Sequence, residues 1–518
     1  MKDKLRRIYL VVVAMTMGAL VMALEVLGTR VIGTLYGSSL YVWGALISVT
    51  LVALAIGYFL GGLLADRVPR AWVLYAMLLL GGLATLLVPF LRGVMLPCYR
   101  ALGLRWGALA SALLLFLVPL VLLGMTGPFV IRLLSSSVKR SGVTAGAVYA
   151  LSTLGSVAGT LGVAFYLIPA VGTPQALKFV GAAVVAICVV GLAAERGATH
   201  MVLLVLLGVA FLGRTGPRDR RIPLRTAEGN RVDIIYRDES AYGRLVVLET
   251  VDERLLLADG ILQTGMPAGH YELEKARLLI EQGYYLELLP YLVERPEETR
   301  ALVVGVAGGL LPSLLKLHGI DTLAVEIDPK MAAIARQFFN YSGTIHIQDG
   351  RRFVEDCRET FDICAVDAYS GDVLPFHLVT VEMFQALRRR LKPGGILAIN
   401  LIADPDGWVA GSAFRTLQRV FPCVWAYRST DERGVQPIFC FASEREPPVS
   451  RRWMFDVPPG DGVAELSYAL QQRRLDLSAP PGIVLTDDYN PVDLARAPEA
   501  LAWRQRTIDA LGLDALTH

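Results

Sequence analysis

Residues 301–328 read ALVVGVAGGLLPSLLKLHGIDTLAVEID. A buried strand is predicted over Ala301–Val304, running into a glycine-rich turn (Gly305, Gly308, Gly309). A helix should follow, then a second strand ending on Glu326. Glycines let the backbone approach a ligand closely, and the start of the following helix offers N–H groups. An acid about 20 residues beyond such a turn stands where ribose hydroxyls can donate to it. The segment therefore reads as the first half of a parallel α/β sheet with a nucleoside-type ligand at its turn.

Toward the C-terminus the strand-like runs continue at Thr344–Ile347, Phe361–Val366 and Ile396–Leu401, separated by helical patterns. This alternation gives a parallel sheet covered by helices, and such sheets bind ligands outside the carboxyl ends of their strands. At those ends stand the glycine turn, Glu326, Asp349, Asp367 and Asn400. In that order they outline a pocket with ribose on Glu326, an adenine amine near Asp349 and the reacting group near Asp367. Toward the N-terminus, Arg231–Tyr236, Gly243–Thr250 and Arg254–Ala258 read as a small antiparallel sheet. A helical region is expected over Tyr271–Glu294.

Further back the composition changes. Over all 518 residues, 54% are apolar and 19% charged, with a mean hydropathy of +0.49. Soluble domains carry about 25% charged residues, so part of this chain belongs in lipid. Apolar runs near the roughly 20 residues a bilayer requires lie at 8–28, 41–64, 71–91, 107–131, 143–168 and 174–194, with a shorter one at 200–213. Gly57 and Gly61, and likewise Gly155 and Gly159, are four apart, a spacing that lets helices pack closely in lipid. Lys2, Lys4, Arg6 and Arg7, then Arg67 and Arg70, then Arg132, Lys139 and Arg140 fall on one side of these spans. By the excess of basic residues that side is cytoplasmic. The expected location is a multi-pass protein of the cell membrane with a cytoplasmic C-terminal half, provided 200–213 does not cross. No cleavable signal peptide is expected. The net charge of +3 and the lack of a basic, aromatic-interleaved patch speak against nucleic acid. Six cysteines without zinc spacing read as free thiols, and no metal site is expected.

The expected fold class is thus a multi-pass α-helical membrane domain (1–213), a linker (214–230), a small β-domain (231–265) and a Rossmann-like, methyltransferase-type domain (266–518). Over roughly 230–445 the soluble part resembles the spermidine synthase (polyamine aminopropyltransferase) family. The resemblance is carried by LADGILQTG (257–265), HYE (270–272), LVVGVAGG (302–309), VEID (325–328), QDGRRF (348–353) and VDAYSGD (366–372). With the helical half, and with LTDDYNP (485–491), the chain is similar to membrane-fused spermidine-synthase-like proteins of prokaryotes.

That resemblance implies aminopropyl transfer from decarboxylated S-adenosylmethionine to an amine or polyamine, leaving methylthioadenosine. It implies Asp367 as general base, with Tyr369 beside it in the catalytic group. Gln263, Gly305, Gly308, Gly309, Glu326, Asp349 and Gly350 would bind the donor. Tyr271, Glu272, Asp372, Asp487 and Asp488 would line the acceptor side. Three positions depart from the family pattern. Gly308 stands where an acid helps hold the donor's amine, Met266–Ala268 where an acidic pair is usual, and Ser370 where a second acid follows the base. S-adenosylmethionine itself stays open as donor, and with it methyl transfer. The acceptor stays open to a membrane-associated amine. The segment GGLLADRVPR (61–70) resembles a loop of major-facilitator transporters, which keeps a transporter or sensor with a non-catalytic nucleoside- or polyamine-binding domain open as well. The bilayer is the expected partner, and a homodimer is left open.

Overall fold

The computed structural model describes residues 3–37, 40–135, 141–196, 222–225, 231–267, 284–293, 295–369, 371, 375–445 and 472–511. The run at 200–213 and the site candidates Tyr271, Glu272 and Asp372 lie outside them. The chain divides into two compact units, changing over at Arg220/Arg221.

The first unit is helical: α1 (Asp3–Tyr36), α2 (Leu40–Arg67), α3 (Ala71–Leu87), α4 (Met95–Gly124), α5 (Thr126–Leu134), α6 (Ser141–Gly162) and α7 (Thr173–Arg196). A π turn and a short helix extend α6 to Val171. Five helical stretches among the described residues are long and apolar enough to cross a membrane, α4 and α5 counting as one. The third expected span is shorter than the sequence suggests. It ends at Leu87 after 17 residues rather than at 91, because Pro89 lacks the N–H that would continue the helix. The fourth begins earlier than expected, at Met95, with a break at Gly103 (φ 69°).

Two ion pairs relate the helix ends. Arg6 in α1 pairs with Glu195 in α7 at 2.9 Å, so the start of the first helix and the end of the last share one side. Arg132 pairs with Asp66 at 2.9 Å, so the ends of α2 and α5 also lie together.

The glycine spacing has a steric cause. A Cβ on Gly155 or Gly159 would fall inside the van der Waals radius of the Met15 or Ala19 carbonyl of α1. One on Gly61 would lie 2.8 Å from the Met125 backbone. Gly155→Leu is therefore expected to break the α1–α6 contact and lower the melting temperature of the detergent-solubilised protein. Gly162→Leu, whose Cβ meets nothing within 4 Å, should leave it unchanged.

The second unit holds two sheets. Strands β1 (Ile222–Arg225), β2 (Arg231–Glu239), β3 (Arg244–Glu249), β4 (Glu253–Ala258) and β5 (Ile261–Pro267) form a five-stranded meander in chain order. It is wider than expected at both ends: β1 forms within the segment read as linker, and β5 extends the sheet past residue 258. Between β4 and β5, Asp259 (φ 48°) and Gly260 (φ 76°) form the two-residue turn with both φ positive that hairpin twist favours.

The larger sheet comprises β6 (Arg300–Val304), β7 (Asp321–Glu326), β8 (Ile345–Ile347), β9 (Phe361–Val366), β10 (Leu391–Ala403), β11 (Cys423–Arg428) and β12 (Gln436–Ser443). Their spatial order is β11-β12-β10-β9-β6-β7-β8. Strands β6 to β10 are parallel, and β12 runs antiparallel between β10 and β11. Helices α8 (Leu310–Leu317), α9 (Pro329–Phe338), α10 (Gly350–Asp356), α11 (Val381–Arg390), α12 (Trp408–Val420) and α13 (Val492–Leu511) complete the unit.

Cores on both faces explain why the strands read as unbroken apolar runs. One cluster includes Leu302, Val304, Cys364, Phe384 and Phe414; the other includes Ala301, Val303, Ile363, Tyr285 and Phe441. The small sheet packs Leu245, Val247, Leu256 and Met266 against Met331, Ile334 and Phe339 around α9. The second half of the expected helix at Tyr271–Glu294 is a 3₁₀ segment, Tyr285–Leu292, containing Pro290.

Candidate active site

The chain leaves β6, turns back through β7 and β8, and crosses to the other side of β6 at β9. That reversal opens a crevice at the carboxyl ends of β6 and β9, where doubly wound sheets bind ligands. Gly305 ends β6 there with φ 92°, its amide bonded to Val325 O at 2.9 Å. A Cβ on it would penetrate the Asp367 carbonyl, so only glycine lets these two strand ends meet. Along the same edge Asp367, Gly305, Glu326 and Asp349 follow strands β9, β6, β7 and β8 in order. Neighbouring strands lie ~4.8 Å apart, so the row spans about 14 Å, the scale of an extended nucleoside with a short tail.

Glu326 organises the turn. It is 8% exposed, and its oxygens accept from Val306 N and Asp328 N, each at 3.0 Å. Burial pushes its carboxyl above the usual range, while the backbone donors of Asp328, Val306 and Ala307 pull the other way. Gly308 N donates to Thr264 Oγ1 at 3.1 Å, and Gly309 N to Val306 O at 2.7 Å. The amides of Gly308 and Gly309 are thus directed at protein acceptors. Ala307 has φ 47°, a strained value of the kind found at binding sites. A side chain at Gly308 would start 2.8 Å from Thr264 Cγ2, so β5 occupies the space an acid there would need.

Asp349 caps α10, accepting from Arg352 N at 2.9 Å, and its other oxygen lies 3.4 Å from His377 Nε2. Gly350 starts that helix pressed against Val304, where a Cβ would clash. Gln263 donates to the carbonyls of Ile261 (3.3 Å) and Gly371 (3.1 Å), tying the small sheet to the loop after β9.

Asp367 is held from both sides. Tyr284 Oη donates to Oδ2 at 3.1 Å and Asn400 Nδ2 to Oδ1 at 2.9 Å. Register explains Asn400: Ile399 of β10 lies opposite Val366 of β9, so the next residues are neighbours. Burial pushes the Asp367 carboxyl up, and the Asn400 and Tyr284 bonds moderate that rise. Burial and Asp367 together drive the Tyr284 phenol well above its usual value.

Tyr369 is placed differently from its neighbour. Its hydroxyl accepts from Ile402 N at 2.6 Å and donates to Asn400 O at 3.2 Å, so it braces the loop on β10. Asp487 forms a two-pronged ion pair with Arg351, which holds its carboxyl below the usual range. Arg351 follows Asp349 by two residues, so Asp487 sits near the β8 end of the row. Asp488 is exposed. Tyr284 is marked by no sequence motif, Thr264 lies within LADGILQTG without a role assigned to it, and Asn400, placed at a strand end by the sequence, gains its role only through its bond to Asp367.

The sheet and the reversal of its strand order define the class: a Rossmann-like, methyltransferase-type domain. Residues 289–401 match the spermine/spermidine synthase domain. The C-terminal region of this chain carries that domain. Over 284 residues (51% of this chain) it is 24% identical to the polyamine aminopropyltransferase of Vibrio vulnificus, covering 91% of that protein. Over 239 residues (41% of this chain) it is 28% identical to the N-terminal histidine N-methyltransferase of Emericella nidulans. The match spans less than half, 43%, of that relative's length. A solved structure of a probable spermidine synthase from Corynebacterium glutamicum aligns over 49% of this chain and 98% of its own, at 18% identity and a TM-score of 0.38.

Proposed function

We propose that the chain is a membrane-anchored aminopropyltransferase, moving an aminopropyl group from decarboxylated S-adenosylmethionine to an amine. The observation that carries this reading is the half-buried Asp367, held by Tyr284 and Asn400 beside the Gly305 turn. The acceptor nitrogen attacks the propyl carbon next to the sulfonium. The new N–C bond forms as the C–S bond breaks, and the sulfonium's positive charge is discharged as methylthioadenosine leaves. The nitrogen's proton passes to Asp367. A carboxyl raised by burial is a stronger base than an exposed one, as proton abstraction from an amine requires. Glu326 and Asp349 would hold ribose and base. Gly305, Gly308 and Gly309 would let the donor lie on the backbone, while Gln263 and Tyr369 position the loop that bears Asp367. The five long apolar helices support the membrane reading; with the shorter apolar α3 counted as a sixth crossing, the Arg6–Glu195 pair fits a helical set that starts and ends on one side.

One observation favours a second reading, methyl transfer from S-adenosylmethionine. Gly308 and Thr264 fill the place of the acid that would hold a decarboxylated donor's amine, and a relative at 28% identity is named a methyltransferase. Products separate the two: methylthioadenosine for aminopropyl transfer, S-adenosylhomocysteine for methyl transfer.

Asp367 must be ionised to accept the proton, so the acidic limb of the pH–rate profile should lie above the ordinary aspartate range. Tyr284→Phe removes a bond that lowers this carboxyl's pKa. The limb should then move to higher pH, with the ring still packed on Phe439 (5.4 Å). A profile unmoved by Tyr284→Phe contradicts Asp367 as the titrating base.

A further inference from the structure

On the β10 side of Asp367, away from the glycine turn, α13 buries Arg496. The residue is 4% exposed, and its guanidinium carbon lies 5.5 Å from the Tyr369 ring centroid. Its Nε and Nη2 have no hydrogen-bond partner among the described residues. Glu499, one turn further on, accepts from Asp404 N at 3.4 Å; burial pushes its carboxyl up to about 7, and the nearby Arg496 charge pulls the other way without a hydrogen bond to Nε or Nη2. A guanidinium keeps its charge at any working pH, and buried donors are rarely left unmet. Nε and Nη2 also share one edge of the guanidinium, the edge that grips a carboxylate or phosphate with two parallel bonds.

A second buried orphan stands closer to the base. Asn400 donates Nδ2 to Asp367, and its Oδ1 has no partner among the described residues. Exchanging the amide's ends would face oxygen against carboxylate, so the free oxygen is fixed where an N–H could donate to it. Tyr369, pinned to β10 through its hydroxyl, stands between the two orphans. Both orphans are closed to solvent in this structure; to a group that reaches them they offer an acceptor for an amine beside the base and a cation beyond it. A diamine fits neither the buried Arg496 nor the absence of acids at Met266, Pro267, Ala268 and Ser370.

We propose that the acceptor is an amine whose own molecule carries an anionic oxygen group. The amine lies at Asp367 and Asn400 Oδ1, and the anion on the Nε–Nη2 edge of Arg496. This rests on the transferase reading above and narrows its substrate class. The anion has two sources, the carboxylate of an amino-acid-type amine or the phosphate of an ethanolamine-type headgroup.

The test uses the full chain in detergent, saturated with methylthioadenosine. It titrates putrescine, 4-aminobutyrate, which exchanges one amine of the same chain for a carboxylate, and O-phosphoethanolamine. The wild type is expected to bind one of the anionic probes at least about tenfold more tightly than putrescine, the scale of a charge-assisted bond. The probe that wins identifies the source. Arg496→Met should erase the preference and Arg496→Lys retain part of it, with methylthioadenosine affinity unchanged in both as the check on folding. Putrescine binding as tightly, neither anionic probe binding, or a preference indifferent to Arg496→Met would each overturn the proposal. The second of these results would mean that water alone completes Arg496. Failure of methylthioadenosine to bind the wild type would instead remove the transferase reading and this inference with it.

Discussion

Asp367→Asn is expected to lower turnover by about 10²–10⁴-fold, the contribution of a positioned general base, while leaving methylthioadenosine affinity unchanged. The amide keeps the shape and can still meet Tyr284 and Asn400, so the loss isolates proton transfer. The same substitution should raise thermal stability at neutral pH. The folded-state pKa of Asp367 lies above its unfolded value. Above that folded pKa, the native state carries a buried charge that the unfolded chain holds in water. Wild-type stability therefore gains as pH falls through the raised pKa, and the variant lacks that component. Melting temperatures of the two proteins should converge on acidification. An Asn variant that is inactive and also less stable at neutral pH would assign Asp367 a structural role.

Glu326→Gln is expected to weaken donor binding by about 10–100-fold. The carboxylate meets the amides of Val306 and Asp328, with a further contribution from Ala307. Glutamine offers one oxygen and turns an NH₂ toward amides that need an acceptor, and a buried unmet donor costs roughly 1–3 kcal/mol. The turn must then shift, and the ribose loses its acceptor together with the shape of the turn. Titration with methylthioadenosine measures the effect. Affinity within about twofold of wild type would show that the nucleoside does not sit on Glu326.

Much of this was legible in the sequence because strand ends are. Five parallel strands buried on both faces produce unbroken apolar runs, and whatever follows each run lies at the crevice. Glu326, Asp349 and Asp367 were therefore readable as one row before any geometry. Asp259-Gly260 is a strong turn signal for the hairpin to β5, although it lies inside the motif LADGILQTG. What the sequence could not reveal are contacts between distant elements. Tyr284 reaches Asp367 across 83 positions from a segment patterned like a helix. Thr264 fills the space above Gly308 from the other sheet, so a missing acid in one motif is matched by a side chain from another. Arg496 looks like an ordinary polar residue on a terminal helix, and nothing local marks it as buried. The long apolar helices of the N-terminal unit were legible by length and apolarity. Its departures, an α3 cut short by Pro89 and an α4 that starts early, are local breaks in otherwise continuous apolar runs.

The proposed reaction of Asp367 and the Gly305 turn is transfer of an alkyl chain from an adenosyl sulfonium to an amine. Its most direct test is mass spectrometry of the nucleoside released when the purified full chain is incubated with an equimolar mixture of decarboxylated and intact S-adenosylmethionine and a panel of amines. The expected product is methylthioadenosine, formed in step with an acceptor heavier by one aminopropyl group and lost in Asp367→Asn. S-adenosylhomocysteine as the product, or consumption of neither donor, would contradict it.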